Sequence, residues 1–387
     1  MSAAEAYILL GLRLGRHVDG LVDAYYGPEE LSREVDAEPL TDPAALVEHG
    51  DALLGQLEDG WLRDQVLGLR TSAGVLAGEE IPYSDEVERC YGVRPDRVGT
   101  DVYEGVHERL EELLPGSGDL AARYEAWRQA NAVPFDKVVP LVRDLLGELR
   151  ARTVELVELP EGEELVVEEV RDEPWWAFNY YLGDLCSRVV VNLDIPTTRD
   201  DVVELAAHEV YPGHHTEHSV KEQRLIREGG LIEESIQLVP TPAALISEGI
   251  AETGPSVVLD GDVPSRLAEI LRRHGLDYDF EQARAVREAR RPLRRLGLDA
   301  ALMIHEDGAT VEEAEAHVRR WGLLAPEQAA QSVRFVTDPT WRAYVINYSA
   351  GRQLCHAWAG DDPARFVRLL TEHVRVGDLL TAVSSRQ

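Results

Sequence analysis

Four of the twelve histidines of this 387-residue chain lie within residues 208–218. The segment reads His-Glu-Val-Tyr-Pro-Gly-His-His-Thr-Glu-His. An adjacent His-Glu pair begins the H-E-x-x-H motif of zinc hydrolases, in which two histidines one helical turn apart bind the metal and the glutamate is the general base. Here Pro212 takes the position of the second histidine. The segment therefore predicts a zinc site only if the backbone bends so that a later histidine lies close to His208.

The Pro-Gly pair offers a way to bring that histidine back. A proline inside a helix clashes with the carbonyl group four residues earlier, here that of His208, so the helix should stop or bulge at residues 211–213. The glycine of the pair tolerates positive φ angles that other residues avoid. A bulge that absorbs two residues would put His214 in the position of the missing histidine. We predict His208 and His214 as zinc ligands, His215 as the alternative second ligand, and His218 as a neighbour that orients them.

A catalytic zinc ion needs a third protein ligand and one open position. The best candidate is Glu248, in a segment that predicts a new helix because Thr241 can cap it and Pro242 suits its first position. Glu252 lies one turn further on the same face. An acidic pair in an otherwise apolar helix is costly to bury without a cation. We expect Glu248 to bind the metal, and Glu252 could hold a ligand histidine by its other ring nitrogen.

The residues before His208 predict a helix that is buried on most sides. Thr197 or Thr198 can cap it, acidic residues suit its first turn, and a run of valine, leucine and alanine follows. Glu209 would emerge from this apolar surface, where a carboxylate needs a specific role. We predict that Glu209 is the general base acting on a zinc-bound water molecule.

A group of side chains near the C-terminus could stabilise charge in such a reaction. Tyr344, Tyr348 and Arg352 are spaced by four residues, which places them on one face of a helix. A phenol or guanidinium directed at a carbonyl oxygen stabilises the negative charge that develops there. We predict Tyr348 and Arg352 as catalytic residues. Packing is the alternative for the tyrosines, and Arg352 could instead bind a substrate carboxylate.

These segments resemble the domain-of-unknown-function 885 family, whose bacterial and archaeal members are grouped with zincin-like metallopeptidases. The shared pattern is H-E-x-x-P-G-H-H, followed by E-G-x-A at residues 248–251. The strand-like residues 188–193 and the Tyr-x-x-Gly segment that begins at Tyr348 are also similar, so the resemblance covers about residues 160–385. It implies a zinc metallopeptidase. Glu217 stands where the family often has glutamine, and Ile250 where an aromatic is common. The resemblance therefore does not identify the substrate.

The remaining sequence predicts a mainly α protein. Residues 1–25 have the pattern of an amphipathic helix that ends before Gly27-Pro28. Residues 159–196 are rich in β-branched and aromatic residues, with Gly183-Asp184 as a turn, which predicts a small antiparallel sheet beside the metal-binding helix. Further helical runs are predicted over residues 43–78, 101–114, 118–131, 137–154, and from 200 onwards.

We therefore expect a large helical zincin-like metallopeptidase fold with a small antiparallel β-sheet. An N-terminal helical region would span residues 1–158 and a catalytic region residues 159–387. The two regions could form one continuous domain. An edge strand of the sheet could bind the backbone of a peptide substrate by strand addition.

Composition restricts the partners and the location. The formal net charge of −32 disfavours nucleic acid and anionic membranes, which repel an acidic surface. The N-terminus lacks the leading positive charge and long apolar run of a signal peptide, and no run approaches the ~18–20 apolar residues of a membrane span. The three cysteines, Cys90, Cys186 and Cys355, form no C-x-x-C motif and suit a reducing interior. The sequence predicts a cytoplasmic protein.

The function predicted from these features is that of a zinc-dependent hydrolase, principally a metallopeptidase. Its substrate would be a peptide or small amide, cleaved by Glu209-assisted attack of zinc-bound water. The cofactor is Zn2+, and neither nucleic acid nor membrane is expected as a partner. Two alternatives stay open. One is a non-catalytic or structural metal-binding protein of the same fold, and the other is a hydrolase of non-peptide amides or esters.

Overall fold

A computed structural model describes residues 1–173, 175–360 and 362–384. Pro174, in the predicted sheet segment, lies outside the described residues, as do residues 361 and 385–387 of the predicted catalytic region. The described chain is mainly helical with a small sheet, which confirms the predicted fold class at this level. No helix in these ranges combines the length and the apolar character needed to cross a membrane.

Helices fill most of the chain before and after the sheet segment. Before it lie α1 (Ala3–Gly15), α2 (Glu29–Ala37), α3 (Pro43–Leu54), α4 (Trp61–Leu76), α5 (Tyr83–Tyr91), α6 (Thr100–Leu113), α7 (Leu120–Ala130) and α8 (Phe135–Val154). After it lie α9 (Arg199–Glu209), α10 (His214–Lys221), α11 (Pro242–Val258), α12 (Val263–Arg273), α13 (Phe280–Arg290), α14 (Leu296–His305), α15 (Val311–Gly322), α16 (Pro326–Thr337), α17 (Arg352–Ala359), α18 (Pro363–Thr371) and α19 (Val376–Ser384).

Shorter helical segments of other types connect some of these helices. The 3-10 segments are Ile232–Ser235, Arg291–Arg295 and Tyr344–Ile346, and the π-helical segments are Glu222–Glu228 and Asn347–Gly351. The strands are β1 (Val22–Tyr25), β2 (Glu164–Val170), β3 (Ala177–Gly183), β4 (Cys186–Asn192) and β5 (Ile236–Leu238).

The predicted sheet in residues 159–196 is present, with strand order β2-β4-β3. Strands β3 and β4 form an antiparallel hairpin, and its turn contains residues 183–185, all with positive φ. Strand β2 pairs with the other edge of β4 in parallel register, a pairing that the sequence pattern did not indicate. The order leaves β3 at one edge of this sheet.

The N-terminal residues differ from the predicted single helix over 1–25. Helix α1 ends at Gly15, and residues 22–25 form β1, which pairs antiparallel with β5 more than 200 residues away. An apolar residue at position 21 also fits this arrangement, because Leu21, just before β1, packs in the core beside Ile236 and Leu238. Likewise the helix predicted over 43–78 is two helices, α3 and α4, which are separated at Gly55–Gly60.

Three clusters of buried apolar side chains hold these elements together. One joins α1, α3 and α4 to β5. A second joins α8, α9 and α12 to β4, and a third joins α5–α7 to α11 and the C-terminal helices. Each cluster combines residues from both predicted regions. Helix α9 is buried on most sides by the second cluster, as predicted, while α11 lies in the third, so the two helices meet where the two clusters adjoin.

Candidate functional site

Helix α9 ends where the Pro-Gly pair was predicted to interrupt it. Thr198 caps its N-terminus in a reciprocal capping box with Asp201. Its last residue is Glu209, and the following Tyr211–Pro212 peptide bond is cis. The backbone N–H of Gly213 donates to the carbonyl oxygen of Ala207 at 3.0 Å, six residues earlier instead of the usual four. The break therefore absorbs two extra residues, as predicted, before α10 begins at His214.

Glycine is required at position 213 for a reason that differs from the prediction. Its φ is −76° and its ψ −139°, so the expected positive φ is wrong. A Cβ atom there would instead lie 1.7 Å from the carbonyl oxygen of His208 and 2.6 Å from that of Ala207. The chain folds back so closely on the end of α9 that only glycine fits. This close approach brings His214 beside His208.

His208, His214 and Glu248 converge from α9, α10 and α11. One possible ligand atom from each lies within 4.8 Å of those of the other two. The Nε2 atom of His208 is 3.8 Å from Glu248 Oε2, and the Nε2 atom of His214 is 3.9 Å from Glu248 Oε1. Atoms bound to one zinc ion at 2.0–2.1 Å stand roughly 3.4 Å apart in a tetrahedral site. The ligand atoms are thus slightly further apart than those of a zinc site, and small side-chain movements would bring them to that spacing.

The carboxylate of Glu248 fits a cation. Its Oε1 atom accepts a hydrogen bond from the Tyr344 hydroxyl at 2.7 Å, whereas its Oε2 atom is buried without a hydrogen-bond partner. A buried acceptor without a partner costs free energy. Burial raises the pKa of Glu248, although the charge of His214 opposes this shift. A metal ion between Glu248 and the two histidines would compensate both the unpaired oxygen and the negative charge.

Carboxylates stand near both ring nitrogens of His208. Its Nδ1 atom lies 3.7 Å from Oε1 of Glu252, which also pairs with Arg294. The Glu252 carboxylate thus stands on the side of the ring away from Glu248, as predicted. Burial lowers the pKa of His208 well below its usual value, and the charge of His214 adds to the shift. The imidazole is therefore neutral at pH 7, the form that binds metals.

His214 is anchored by its other ring nitrogen. Its Nδ1 atom lies 3.2 Å from the Ser247 hydroxyl, which donates to Glu217 at 2.6 Å. Glu217 in turn accepts from Lys221 at 2.7 Å. Burial opposes the charged imidazolium, but the carboxylates of Glu217, Glu248 and Glu209 raise the pKa of His214 to about 9. These carboxylates thus favour the protonated ring, which would have to lose a proton before its nitrogen could bind a metal.

His215 and His218 occupy different environments. His215 is fully buried, its Nδ1 atom 2.8 Å from Ser187 Oγ and its Nε2 atom 2.8 Å from Glu163 Oε2. Both of its nitrogens are therefore engaged away from His208, so the geometry does not favour it as second ligand. His218 stacks on His214 with ring centroids 6.0 Å apart, next to the three-residue cluster as predicted. With His214 and Glu217 it forms another group of closely spaced donors.

Glu209 lies beside the cluster and is 9% exposed. Burial raises its pKa to about 7, against the charge of His214 and with a further contribution from Glu248. Its backbone oxygen accepts a hydrogen bond at 2.6 Å from the Asn179 side chain, which ties the end of α9 to β3. A carboxyl group with a pKa near 7 can accept and release a proton at neutral pH.

Asp23 is a further acidic neighbour that sequence reasoning missed. It lies on β1 with an exposed side chain. It is near enough to the site for the charges of His214 and Glu248 to act on it. The sequence held no local sign of this position, because residues 1–25 read as one helix. Only the pairing of β1 with β5 places Asp23 at the rim of the site.

The structure separates Tyr348 from Arg352. Burial raises the pKa of Tyr348 well above its usual value, and the charges of Glu248, Glu252 and Glu209 add to the shift. Its ring contacts that of Tyr344, with the centroids 5.6 Å apart. Arg352 lines an adjoining cavity instead. The intervening Asn347–Gly351 segment is π-helical, with more residues per turn than an α-helix.

No family model matches the chain, and no curated protein matches it. The resemblance to the domain-of-unknown-function 885 family thus stays a prediction. The fold is similar to two solved structures. One is "the putative lipoprotein from Colwellia psychrerythraea", with a TM-score of 0.53 and 14% identity over 92% of this chain and 59% of that one. The other is "a putative lipoprotein of unknown function from Shewanella oneidensis", with a TM-score of 0.51 and 15% identity over 99% of this chain and 73% of that one.

These structures contradict the predicted cytoplasmic location. Both proteins that share the fold are described as lipoproteins, a class anchored by lipid outside the cytoplasm. Cysteine usage does not decide the compartment, because a chain of this size buries enough apolar surface to fold without disulfides. Three free cysteines, two of them buried, are therefore compatible with either compartment.

Proposed function

We propose that this protein is a zinc-dependent hydrolase, principally a metallopeptidase that cleaves peptide or related amide bonds. The observation that carries the proposal is the convergence of His208, His214 and Glu248 beside Glu209. Three protein ligands with a remaining open position are the usual composition of a catalytic zinc site. The resemblance of the motifs to zincin-like metallopeptidases supports the same reaction class.

The zinc ion would be held by His208, His214 and Glu248. When bound, zinc polarises a carbonyl group and lowers the pKa of water. Tyr344 donates a hydrogen bond to Glu248, and Glu252 lies 3.7 Å from the other ring nitrogen of His208, close enough to orient it after a small side-chain movement. Such support from neighbouring side chains is usual for metal ligands.

Glu209 would serve as the proton carrier. Its carboxylate would accept a proton from the water molecule that attacks the substrate carbonyl carbon. It would then donate this proton to the amine nitrogen as the carbon–nitrogen bond breaks. The raised pKa of Glu209 suits both steps near neutral pH. The charge of a bound zinc ion would lower that pKa, which favours the proton-accepting form.

Tyr348 would stabilise the charge that grows on the substrate carbonyl oxygen. Its ring packs against that of Tyr344, which donates to Glu248, and its high pKa keeps it a proton donor at neutral pH. An extended peptide could pair with β3, the edge strand of its sheet, since Asn179 on that strand contacts the backbone of Glu209.

The test measures metal and cleavage together. The full chain, purified without a histidine tag, should contain about one zinc per chain by plasma mass spectrometry. Incubation with a synthetic peptide library should yield cleavage products, detected by mass spectrometry and abolished by a chelator. A chain without zinc would contradict the proposal. Bound zinc without cleavage of peptide, amide or ester probes would instead support a non-catalytic metal-binding protein.

A further inference from the structure

A cavity of about 720 Å³ adjoins the proposed zinc site. Its wall includes Asp200 and Glu204 of α9, which share one face of that helix with His208 because they are spaced by four residues. Glu252 belongs to both regions, since it lines the cavity and lies 3.7 Å from the His208 ring. The cavity and the three-residue cluster are therefore next to each other along the α9–α11 groove.

Arginine is unusually frequent in this wall for so acidic a protein. The arginines are Arg284, Arg287, Arg290, Arg291, Arg294 and Arg352. Four of them have carboxylate partners: Arg284 pairs with Glu281, Arg287 with Asp200 and Glu204, Arg291 with Glu288, and Arg294 with Glu252. Those four charges are compensated within the protein.

Arg290 and Arg352 differ from the other four. Neither guanidinium forms an ion pair or side-chain hydrogen bond with any residue in the described ranges. Arg290 lies over the ring of Tyr124 at 4.4 Å, and its Nε atom is buried without a partner. Removing a charged group from water without a partner is costly. These two cations are therefore available to an anion that enters the cavity.

Burial works against the charged forms of both cations. It lowers the pKa of Arg352 to about 10, while the neighbouring charges are of both signs: Arg291 and Arg294 lower this pKa, and Glu288 and Glu252 raise it. Burial also lowers the pKa of Arg290. An anion beside Arg352 would compensate a guanidinium that has lost much of its hydration and has no ion-pair partner in the described ranges.

We propose that the cavity binds a substrate carboxylate at Arg352, assisted by Arg290, so that the protein acts on peptides or amides with a carboxylate close to the scissile bond. The substrate class rests on the hydrolase function proposed above, whereas binding of the anion does not. The planar guanidinium fork matches both oxygens of a carboxylate. A phosphate concentrates up to two negative charges on one group, which Asp200, Glu204 and Glu252 on the same wall would repel more strongly than the single charge of one carboxylate group.

Calorimetric titration of the full chain with succinate tests the anion site. The protein is first freed of metal, so that the ligand cannot bind zinc and the result is independent of hydrolysis. Succinate should bind at low ionic strength and its neutral analogue succinamide should not. Arg352→Gln should weaken succinate binding by about tenfold or more, the usual effect of losing a charge-assisted hydrogen bond.

Arg109→Gln is the matched control, because Arg109 is exposed on α6 and pairs with Glu112 outside the cavity. It should leave succinate affinity unchanged. If circular dichroism shows that Arg352→Gln is unfolded, Arg352→Lys replaces it, and the loss of the planar fork should still weaken binding. Equal succinate affinity in wild type and the Arg352 variant, undetectable succinate binding, or tighter binding of inorganic phosphate than of succinate would each overturn the proposal.

The substrate class is tested on the zinc-loaded chain with peptides that differ only by glutamate or glutamine next to the scissile bond. Arg352→Gln should raise KM for the glutamate peptide and leave kcat less affected, since the interaction is one of binding. An equal effect on both peptides would contradict the assigned substrate class. Succinate binding without cleavage of any peptide would refute the hydrolase and leave the anion site intact.

Discussion

Gly249 of α11 and Gly351 at the end of the π-helical segment are in direct backbone contact. A Cβ atom on Gly249 would lie 2.4 Å from the carbonyl oxygen of Gly351, and one on Gly351 would lie 2.5 Å from that of Leu245. The two glycines come from the E-G-x-A and Tyr-x-x-Gly segments of the sequence. In the same region of packing, the hydroxyl of Tyr344 lies 2.7 Å from its acceptor Glu248.

Gly249→Ala should therefore disturb both stability and the site. The added methyl group meets backbone atoms that cannot rotate away, so we expect a loss of about 1–3 kcal/mol in the free energy of unfolding. Urea denaturation measures it. Gly105→Ala is the matched control, because Gly105 lies exposed in α6 with no atom near its added Cβ. Alanine there should stabilise by up to about 1 kcal/mol. Equal stability of the two variants would refute the close contact.

Gly213→Ala should lower zinc affinity almost as much as Gly213→Val. The reason is the 1.7 Å separation between the added Cβ and the carbonyl oxygen of His208, which any side chain would violate. Displacing this backbone moves His214 away from His208. Competition with a chelator measures the affinity, and Gly105→Ala again serves as control. Full affinity in Gly213→Ala would show that the segment can relax without moving His214.

Single substitutions should distinguish the two adjacent histidines. His214→Ala should lose zinc, because it removes a predicted ligand, and should leave the fold intact. His215→Ala should retain zinc but reduce the free energy of unfolding by about 1–3 kcal/mol, since the buried groups of Ser187 and Glu163 lose a partner. Zinc analysis and thermal unfolding of both variants are the measurements. Zinc loss in His215→Ala with retention in His214→Ala would reverse the assignment.

Glu209→Gln should separate metal binding from proton transfer. Glutamine is nearly the same size and Glu209 is not in the predicted ligand set, so zinc content and unfolding temperature should stay close to those of wild type. Hydrolysis should fall on the order of 10²–10⁴-fold, because the proton carrier is lost. Steady-state rates on a peptide identified from the library supply the measurement. Activity within a few fold of wild type would exclude Glu209 as the base.

Glu217 should make stability depend on pH. Burial alone would raise its pKa, but Lys221 and then His214 hold it well below the usual value near 4.5. A carboxyl group with a depressed pKa stabilises the fold above its unfolded-state pKa, and this contribution is lost as pH falls. At pH 7 Glu217→Gln should cost about 3–5 kcal/mol, because it leaves the buried Lys221 without its counter-charge.

The measurement is the free energy of unfolding of wild type and Glu217→Gln from pH 7 to pH 3. The difference between the two proteins should be largest at neutral pH and should shrink below about pH 4.5, where the unfolded state takes up a proton. Glu112→Gln, an exposed glutamate on α6, is the control and should show little difference at any pH. A constant difference for Glu217→Gln across this range would contradict the depressed pKa.

Local features of this chain could be read from the sequence because neighbouring residues produce them. The capping residue Thr198, the buried face of α9, the interruption at Pro212 and the start of α11 at Thr241–Pro242 all follow from side-chain chemistry and backbone sterics within a few residues. Since each helix has a fixed periodicity, the faces that carry His208 and Glu248 were also predictable.

Long-range packing determined the features that these local rules could not supply. Asp23 reaches the rim of the site because β1 pairs with β5, and Tyr344 meets Glu248 because α11 packs closely against the C-terminal segments, as at Gly249 and Gly351. His215 turns away since Glu163 and Ser187, distant in sequence, offer it buried partners. Such contacts join residues far apart in the chain, so their geometry depends on how whole helices and strands pack and leaves no mark in the local spacing of residues.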